Sequence, residues 1–438
     1  MKPLLIKGGR IIDPGQNIDH RGNLFITEGK ISSLTSQDSG IPASDYEVLN
    51  AEGMIVCPGL IDFHCHLRQP GFEEKETIAS GSRAAAKGGF TTICCMPNTN
   101  PPLDNRTTID YVMSIAASEG VVRVLPIGCI SRGRKGEELA DMKGLAQAGV
   151  VAFSDDANTV MDSHLMRRAM EHSLALGLPI SDHCEDTALS SSGQVNEGAI
   201  ATSLGLPGVS AAAEENIVAR DLTLAQLTGA RIHIAHTSTE GSVELIRWAK
   251  DKGIGVTAEV TPHHLTLTQE SVLDYGTMAK VNPPLRTGRD VNALVRGLNE
   301  GVIDIIATDH APHTERDKQR EFVLAPFGIS GFETALASLM GLVHNGLLEL
   351  ELLIARLTSE PAKIIGERFG RLGTLEVGSA ADVTIFDPNL EWTVDANKFI
   401  SKGKNTPLDG KRLKGKVMAT IYQGKLVYKD DSLSIGEN

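Results

Sequence analysis

Asp62-Phe63-His64-Cys65-His66-Leu67-Arg68 ends the apolar run 54–61 and decides how the rest of the chain is read. In an extended strand successive side chains point to opposite faces, so His64 and His66 project together while Cys65 points away. Two imidazoles on one face make half of a metal site. Ahead of them Ile55, Val56, Leu60 and Ile61, broken by Pro58-Gly59, predict a buried strand whose polar end reaches the surface.

Working outward, eight β runs follow one another at 55–66, 91–96, 122–130, 150–154, 178–183, 231–237, 255–260 and 303–308. Helix-compatible stretches separate them, among them 77–87, 107–118, 163–176 and 242–252. Parallel strands alternating with helices close most simply into an α/β fold of the (β/α)8 TIM-barrel type, with catalytic side chains at the carboxyl ends of the strands. The barrel is assigned to residues 58–365. Residues 1–57 and 366–438 read as short β runs between turn residues such as Gly8-Gly9, Pro14-Gly15 and Glu28-Gly29. Neither piece alone buries much core, so the two are expected to join in one small β-sandwich domain. A Ser-, Gly- and Ala-rich stretch at 189–209 predicts a surface excursion and residues 316–327 a loop over the barrel mouth, with 310–327 able to close as a lid.

Composition narrows the partners. Of 438 residues, Lys and Arg make 42 and Asp and Glu 55, a formal charge of −13 that argues against nucleic acid or an anionic membrane surface. The six cysteines form no Cys-x-x-Cys pair and lie mostly in apolar runs, which suggests reduced, buried thiols. The first ten residues lack a signal pattern and no stretch approaches a membrane-spanning apolar length, so a cytoplasmic protein is expected.

Reading only strand ends, His64 and His66 fall on the first, Asp156 on the fourth, His183 on the fifth, His236 on the sixth and Asp309 on the eighth. Imidazoles and carboxylates in this mixture suit zinc or a similar divalent ion, and six ligands exceed what one open tetrahedral ion needs. Two ions, or one ion and a base, is the economical reading. Alternation allows only one of Asp155 and Asp156 to face the other ligands and does not choose between them. Asp309, within Ala307-Thr308-Asp309-His310-Ala311-Pro312-His313, is placed to be a general base. Arg68 offers a fork for a substrate carboxylate. Asn98 and Asn282 sit in rigid, proline-bounded loops.

The 62–71 motif, the Met96-Pro97-Asn98-Thr99 loop and the 307–313 motif followed by Lys318 resemble dihydroorotase of the bacterial long-chain (class I) type, within the amidohydrolase superfamily. The resemblance covers nearly the whole chain, and no motif position departs from the pattern. It implies metal ligation by His64, His66, Asp156, His183, His236 and Asp309, which selects Asp156 over Asp155, and substrate contacts at Arg68, Asn98, Asn282, His313, Phe327 and Gly328. Zinc is implied, one or two ions per chain with two favoured. The implied reaction is the reversible cyclisation of N-carbamoyl-L-aspartate to L-dihydroorotate plus water, a step of pyrimidine synthesis, with Asp309 as base. Related hydantoinases and dihydropyrimidinases carry a carbamylated lysine at the end of the fourth strand, and residues 150–156 contain no lysine. The alternatives are another cyclic amidohydrolase, such as an allantoinase or hydantoinase, and a non-catalytic partner of aspartate transcarbamoylase. A homodimer is the base-rate expectation, and the active chain could also associate with that transcarbamoylase.

Overall fold

The computed structural model describes residues 3–35, 46–433 and 435–436. The parts of the expected leader-free start and of the small β domain that fall on residues 1–2, 36–45, 434 and 437–438 lie outside the described residues.

Among the described residues, seven of the eight β runs form strands: Leu60–Cys65, Phe90–Cys95, Arg123–Pro126, Ile180–Asp182, Ile232–Ile234, Val256–Val260 and Ile305–Ile306. Each pairs in parallel with its neighbour along the chain, apart from the gap between the third and the fifth. Residues 150–154 fill that gap through single parallel bridges of Phe153 to Gly128 and to Ile180. The ring closes where Cys65 bridges His310 and His66 N donates to His310 O at 2.9 Å.

The run expected at 55–66 is two strands. Ile55–Pro58 belongs to the outer sheet, where it pairs with Leu4–Asp13 and Val383–Thr393, and Leu60–Cys65 opens the barrel. The handover falls on Pro58-Gly59. Gly59 N donates to Asp382 O at 2.8 Å, and a Cβ there would lie 2.1 Å from Thr91 Oγ1, so only glycine allows the chain to pass so close to the second strand.

Two apolar layers record which way the barrel side chains point. Ile61, Phe63, Cys94, Leu125, Val151 and Ile305 cluster with Ile364 and Ile365 of the helix Ser359–Ile365. Leu60, Cys65, Ile93, Val124, Phe153 and Ile180 instead pack in the larger core with the surrounding helices. Burying one such Phe or Ile contributes about 1.5–3 kcal/mol relative to exposure. The register of the first strand against the second shifts between Asp62 and Cys65. Through that irregularity Phe63 belongs to the interior layer while His64 and His66 stand above it at the strand end.

The helices follow local signals. Thr77 caps Ile78–Lys87 in a reciprocal capping box with Ser80, and Asp162 caps Ser163–Leu176 by accepting from His164 N and Leu165 N. That second helix ends on Gly177, whose φ of 69° is the left-handed conformation glycine adopts without penalty.

Among the described residues nine further strands form one sheet, ordered Lys425–Lys429, Arg412–Tyr422, Val383–Thr393, Ile55–Pro58, Leu4–Asp13, Ile18–Thr27 and Lys30–Thr35, with Glu47–Asn50 branching from Leu4–Asp13 and Ile435–Gly436 pairing with Glu47–Asn50. Both ends of the chain therefore share a sheet, and Ile6, Leu24, Val56, Ile385 and Ile421 build a core of its own. The excursion at 189–209 has internal structure, a two-stranded parallel pair Val195–Asn196 and Gly208–Val209 around the helix Ala199–Leu204. Buried Arg286 ties it to the barrel by donating to Asn196 Oδ1 and Val209 O. No helix among the described residues is long and apolar enough to cross a membrane. All six cysteines are buried free thiols.

Candidate active site

At the carboxyl ends of the barrel strands lies a cavity of about 360 Å³. Its wall includes His66, Asp156, His183, His236 and Asp309 from the proposed ligands and Arg68, Asn98, Asn282, His313, Phe327 and Gly328 from the proposed substrate contacts. His64 lies fully buried beside them, its Nε2 3.6 Å from both Asp156 Oδ1 and Asp309 Oδ1. Thus the structure brings the six expected ligands and the six expected substrate contacts to one place.

Three of the four imidazoles are oriented by a partner on the outer nitrogen, which fixes the tautomer and aims a lone pair inward, whereas His236 Nδ1 is buried without one. His64 Nδ1 is 2.6 Å from Glu259 Oε1, and His66 Nδ1 is 2.9 Å from Asn98 Oδ1. His183 Nε2 is 2.8 Å from Glu185 Oε2, leaving its Nδ1 to face the centre. There it meets His236 Nε2 at 2.8 Å, two ring nitrogens whose lone pairs repel unless a cation or proton lies between them. Asp156 is the common member. Its Oδ1 lies 3.5–3.6 Å from His64, His183 and His236, and its Oδ2 3.7 Å from His66 Nε2.

These residues fit a divalent ion. His64 Nε2 and Asp156 Oδ1 are buried with no hydrogen-bond partner, although buried polar atoms are normally satisfied. Ligand atoms of His64, Asp156 and His236 lie within 4.8 Å of one another, as do those of His64, His66 and Asp309. Two overlapping donor sets sharing His64, with Asp156 reaching into both, form an N/O environment of the kind zinc takes.

Electrostatics sharpen the roles. Burial works against the Asp309 charge, yet His66 at 2.9 Å and the nearby His64 hold its carboxyl well below the usual range, so it is an available proton acceptor at neutral pH. Burial pushes the Arg68 guanidinium down to about 10, which leaves it cationic. Its Nε donates to Pro312 O at 3.2 Å and its Nη2 lies 3.2 Å from His313 Nε2. Burial and the Arg68 charge hold the His313 ring neutral, and its Nε2 donates to Phe327 O at 2.8 Å. Three site residues carry positive φ without being glycine, Arg68 at 61°, His236 at 31° and Asp309 at 43°. Such backbone costs of order 1–3 kcal/mol and is typical of sites where the surrounding fold holds a functional side chain in place.

Asp155 turns away from the cavity. Its Oδ1 accepts from Ile130 N at 2.9 Å and Ser131 N at 3.0 Å, and its Oδ2 accepts from Ser131 Oγ. It anchors the loop after the third strand, while Asp156 faces the imidazoles.

Comparison with known proteins accords with this geometry. A family model described as dihydro-orotase-like matches residues 53–242. A dihydroorotase from Thermoanaerobacter sp. (strain X514) is 51% identical over 98% of this chain and 98% of its own length. The chain belongs to the dihydroorotase family. A dihydroorotase from Aquifex aeolicus (strain VF5) is 50% identical over 98% of this chain and its full length. Among solved structures, L-hydantoinase from Arthrobacter aurescens superposes with a TM-score of 0.87 at 26% identity, covering 99% of this chain and 98% of its own. Dihydropyrimidinase from Brevibacillus agri NCHU1002, at 22% identity and a TM-score of 0.84, shares the fold across 99% of this chain and 96% of its own. As a dihydroorotase-family member the chain is a metal-dependent cyclic amidohydrolase on a TIM barrel with an appended β-sandwich.

Sequence reading passed over several residues of the dihydroorotase site. Glu259 is the one charged residue in the strand Val256–Val260 and is fully buried there, and a carboxylate inside a β run was a signal that could be seen. Glu185 follows His183 by two positions and accepts from Asn282 Nδ2 at 2.7 Å. His233 completes the environment of Glu259 at 3.0 Å, and only the packing of neighbouring strands reveals it.

Proposed function

We propose that this chain interconverts N-carbamoyl-L-aspartate and L-dihydroorotate with uptake or release of water, using zinc held by His64, His66, Asp156, His183, His236 and Asp309. The observation that carries the reading is the 51% identity to a dihydroorotase across 98% of the chain. The fully occupied ligand positions speak against a non-catalytic partner role. Two ions are favoured because Asp156 reaches both donor sets, with one oxygen near His64, His183 and His236 and the other near His66.

A divalent ion held there supplies charge that polarises the reacting carbonyl and lets water give up a proton near neutral pH. In the hydrolytic direction Asp309 accepts the proton of the attacking water and returns it to the ring nitrogen as the amide bond breaks. Arg68, Asn98 and His313 hold the substrate carboxylate and, with Asn282 as a further substrate contact, fix the ring against Asp309. Arg68 supplies the local positive charge that a chain of net charge −13 otherwise lacks. The backbone at Phe327 and Gly328 adds to the cavity wall beside His313. The cytoplasm is the proposed place of action. Homodimer formation and association with aspartate transcarbamoylase remain part of the proposal, to be read by sedimentation with and without that partner.

The deciding experiment follows dihydroorotate hydrolysis by absorbance on chelator-treated protein as zinc is returned stepwise. Activity that reappears with zinc and saturates at two equivalents supports substrate, metal and count together. Turnover of hydantoin or allantoin with none of dihydroorotate would move the assignment to a neighbouring cyclic amide.

A further inference from the structure

Behind the cavity wall that carries Phe327 and Gly328 lie two lysines that the chemistry above leaves unused. Lys280 and Lys318 are only 1% and 2% exposed, and among the described residues neither has a carboxylate within ion-pair distance. Both amines instead donate to backbone carbonyls. Lys280 Nζ donates to Phe322 O and Ala325 O at 2.6 Å each, and lies 4.4 Å from the centre of the Phe327 ring. Lys318 Nζ donates to Pro326 O at 2.9 Å and Gly328 O at 3.1 Å, with Lys280 O at 3.4 Å. Gly328 N in turn donates to Lys280 O at 2.9 Å. Between them the two side chains grip most of the loop from residue 322 to 328.

Two buried cations without counter-ions are costly to a fold, and such groups usually occur paired. Burial pushes both amines down, Lys318 to about 7 and Lys280 to about 8, and the converging carbonyl oxygens oppose this by favouring the ammonium form. A hydrophobic pair could tether a loop without that cost. What it could not provide is positive charge one peptide unit behind a pocket for an anion. The substrate pair differs in charge, because the open-chain N-carbamoyl-L-aspartate carries two carboxylates and the ring one.

We propose that Lys280 and Lys318 are positioning residues that hold the 322–328 loop against His313 and, by their charge, favour the doubly anionic open-chain substrate over the singly anionic ring. This rests on the substrate assignment above. In a field of fixed sign the interaction scales with ligand charge, so the effect on the dianion should be close to the square of that on the monoanion.

The test compares wild type with Lys318→Met and Lys280→Met, each measured as zinc-loaded protein in both reaction directions, together with zinc content and melting temperature. The expected result is a KM for N-carbamoyl-L-aspartate raised about tenfold and for dihydroorotate about threefold, with kcat within about threefold of wild type. Zinc content should stay unchanged, and Lys318→Arg should recover most of the discrimination. Equal KM shifts for the two substrates, no shift, or loss of zinc and cooperative melting in both methionine variants would each overturn the proposal, the last by making the lysines ties of the fold alone. A wild type that turns over neither substrate would instead overturn the substrate assignment.

Discussion

Glu259 Oε1 lies 2.6 Å from His64 Nδ1, a contact that spans the barrel from the seventh strand to the first. The same carboxylate reaches His233 Nε2 at 3.0 Å and accepts from His236 N at 3.1 Å. One buried side chain thus fixes the ring of His64, which joins both donor sets, and the backbone of His236, which joins one of them. Outer partners of this kind raise ligand basicity and set ring orientation.

Glu259→Gln keeps the size and one acceptor but removes the charge. Zinc affinity should fall by about 10–100-fold. Competition against a coloured chelator reads it directly, and unchanged affinity would show that Glu259 serves only packing.

Asp309→Asn should lower kcat by about three orders of magnitude or more while leaving most of the zinc bound, because it removes the proton acceptor and keeps a ligand oxygen. Metal analysis beside the hydrolysis assay separates the two effects. A variant near wild-type rate would mean that the base lies elsewhere.

Neighbouring carboxylates should behave oppositely. Asp156→Ala should empty the metal site with little loss of apo stability. Asp155→Ala should retain zinc, but it orphans the N–H groups of Ile130 and Ser131 and the Ser131 hydroxyl. Buried unsatisfied donors cost ~1–3 kcal/mol each, so with three of them chemical denaturation should show a loss of about 3 kcal/mol or more. If instead Asp155→Ala lost zinc and Asp156→Ala kept it, the assignment of the two would be reversed.

This pair also marks how far the sequence could be read. Strand ends were legible because apolar runs stop at His64, His183, His236 and Asp309, and period-two alternation puts His64 and His66 on one side. The same rule could not separate Asp155 from Asp156, since residues 150–154 make only isolated bridges and residue 156 lies beyond them. The first strand was read as one because its apolar content runs through Pro58-Gly59, and only the close approach to Thr91 shows why the chain changes sheets there. Glu259 reaches His64 across 195 residues and Lys280 reaches Phe322 and Ala325 across 42 and 45, separations that no local pattern reports.

Arg68→Lys tests the carboxylate grip. Arg68 is held by Pro312 O, so its planar fork is preset, whereas lysine offers a single mobile charge. KM for dihydroorotate should rise by about tenfold or more, with a smaller change in kcat. An equal loss of kcat with unchanged KM would place Arg68 in the chemical step.

Glu76 gives the pH dependence a sign. It is buried beneath the residue that follows Asp309, with Oε2 3.5 Å from His310 Nε2 and accepting from Ser401 Oγ at 2.5 Å. Burial opposes its charge, but His310, Ser401 and Ser80 together hold the carboxyl below its ordinary value. A depressed folded-state pKa stabilises the fold fully above the unfolded value near 4.5, and that contribution is lost as pH falls through the folded one. In apo protein Glu76→Gln should therefore melt several degrees lower than wild type at pH 7. The gap should narrow as pH drops below about 4.5, where the wild-type carboxyl takes up its proton. Melting curves between neutral and acidic pH decide it. A gap that stays constant would mean that Glu76 holds the helix start and the 401 loop by shape, with no contribution from its charge.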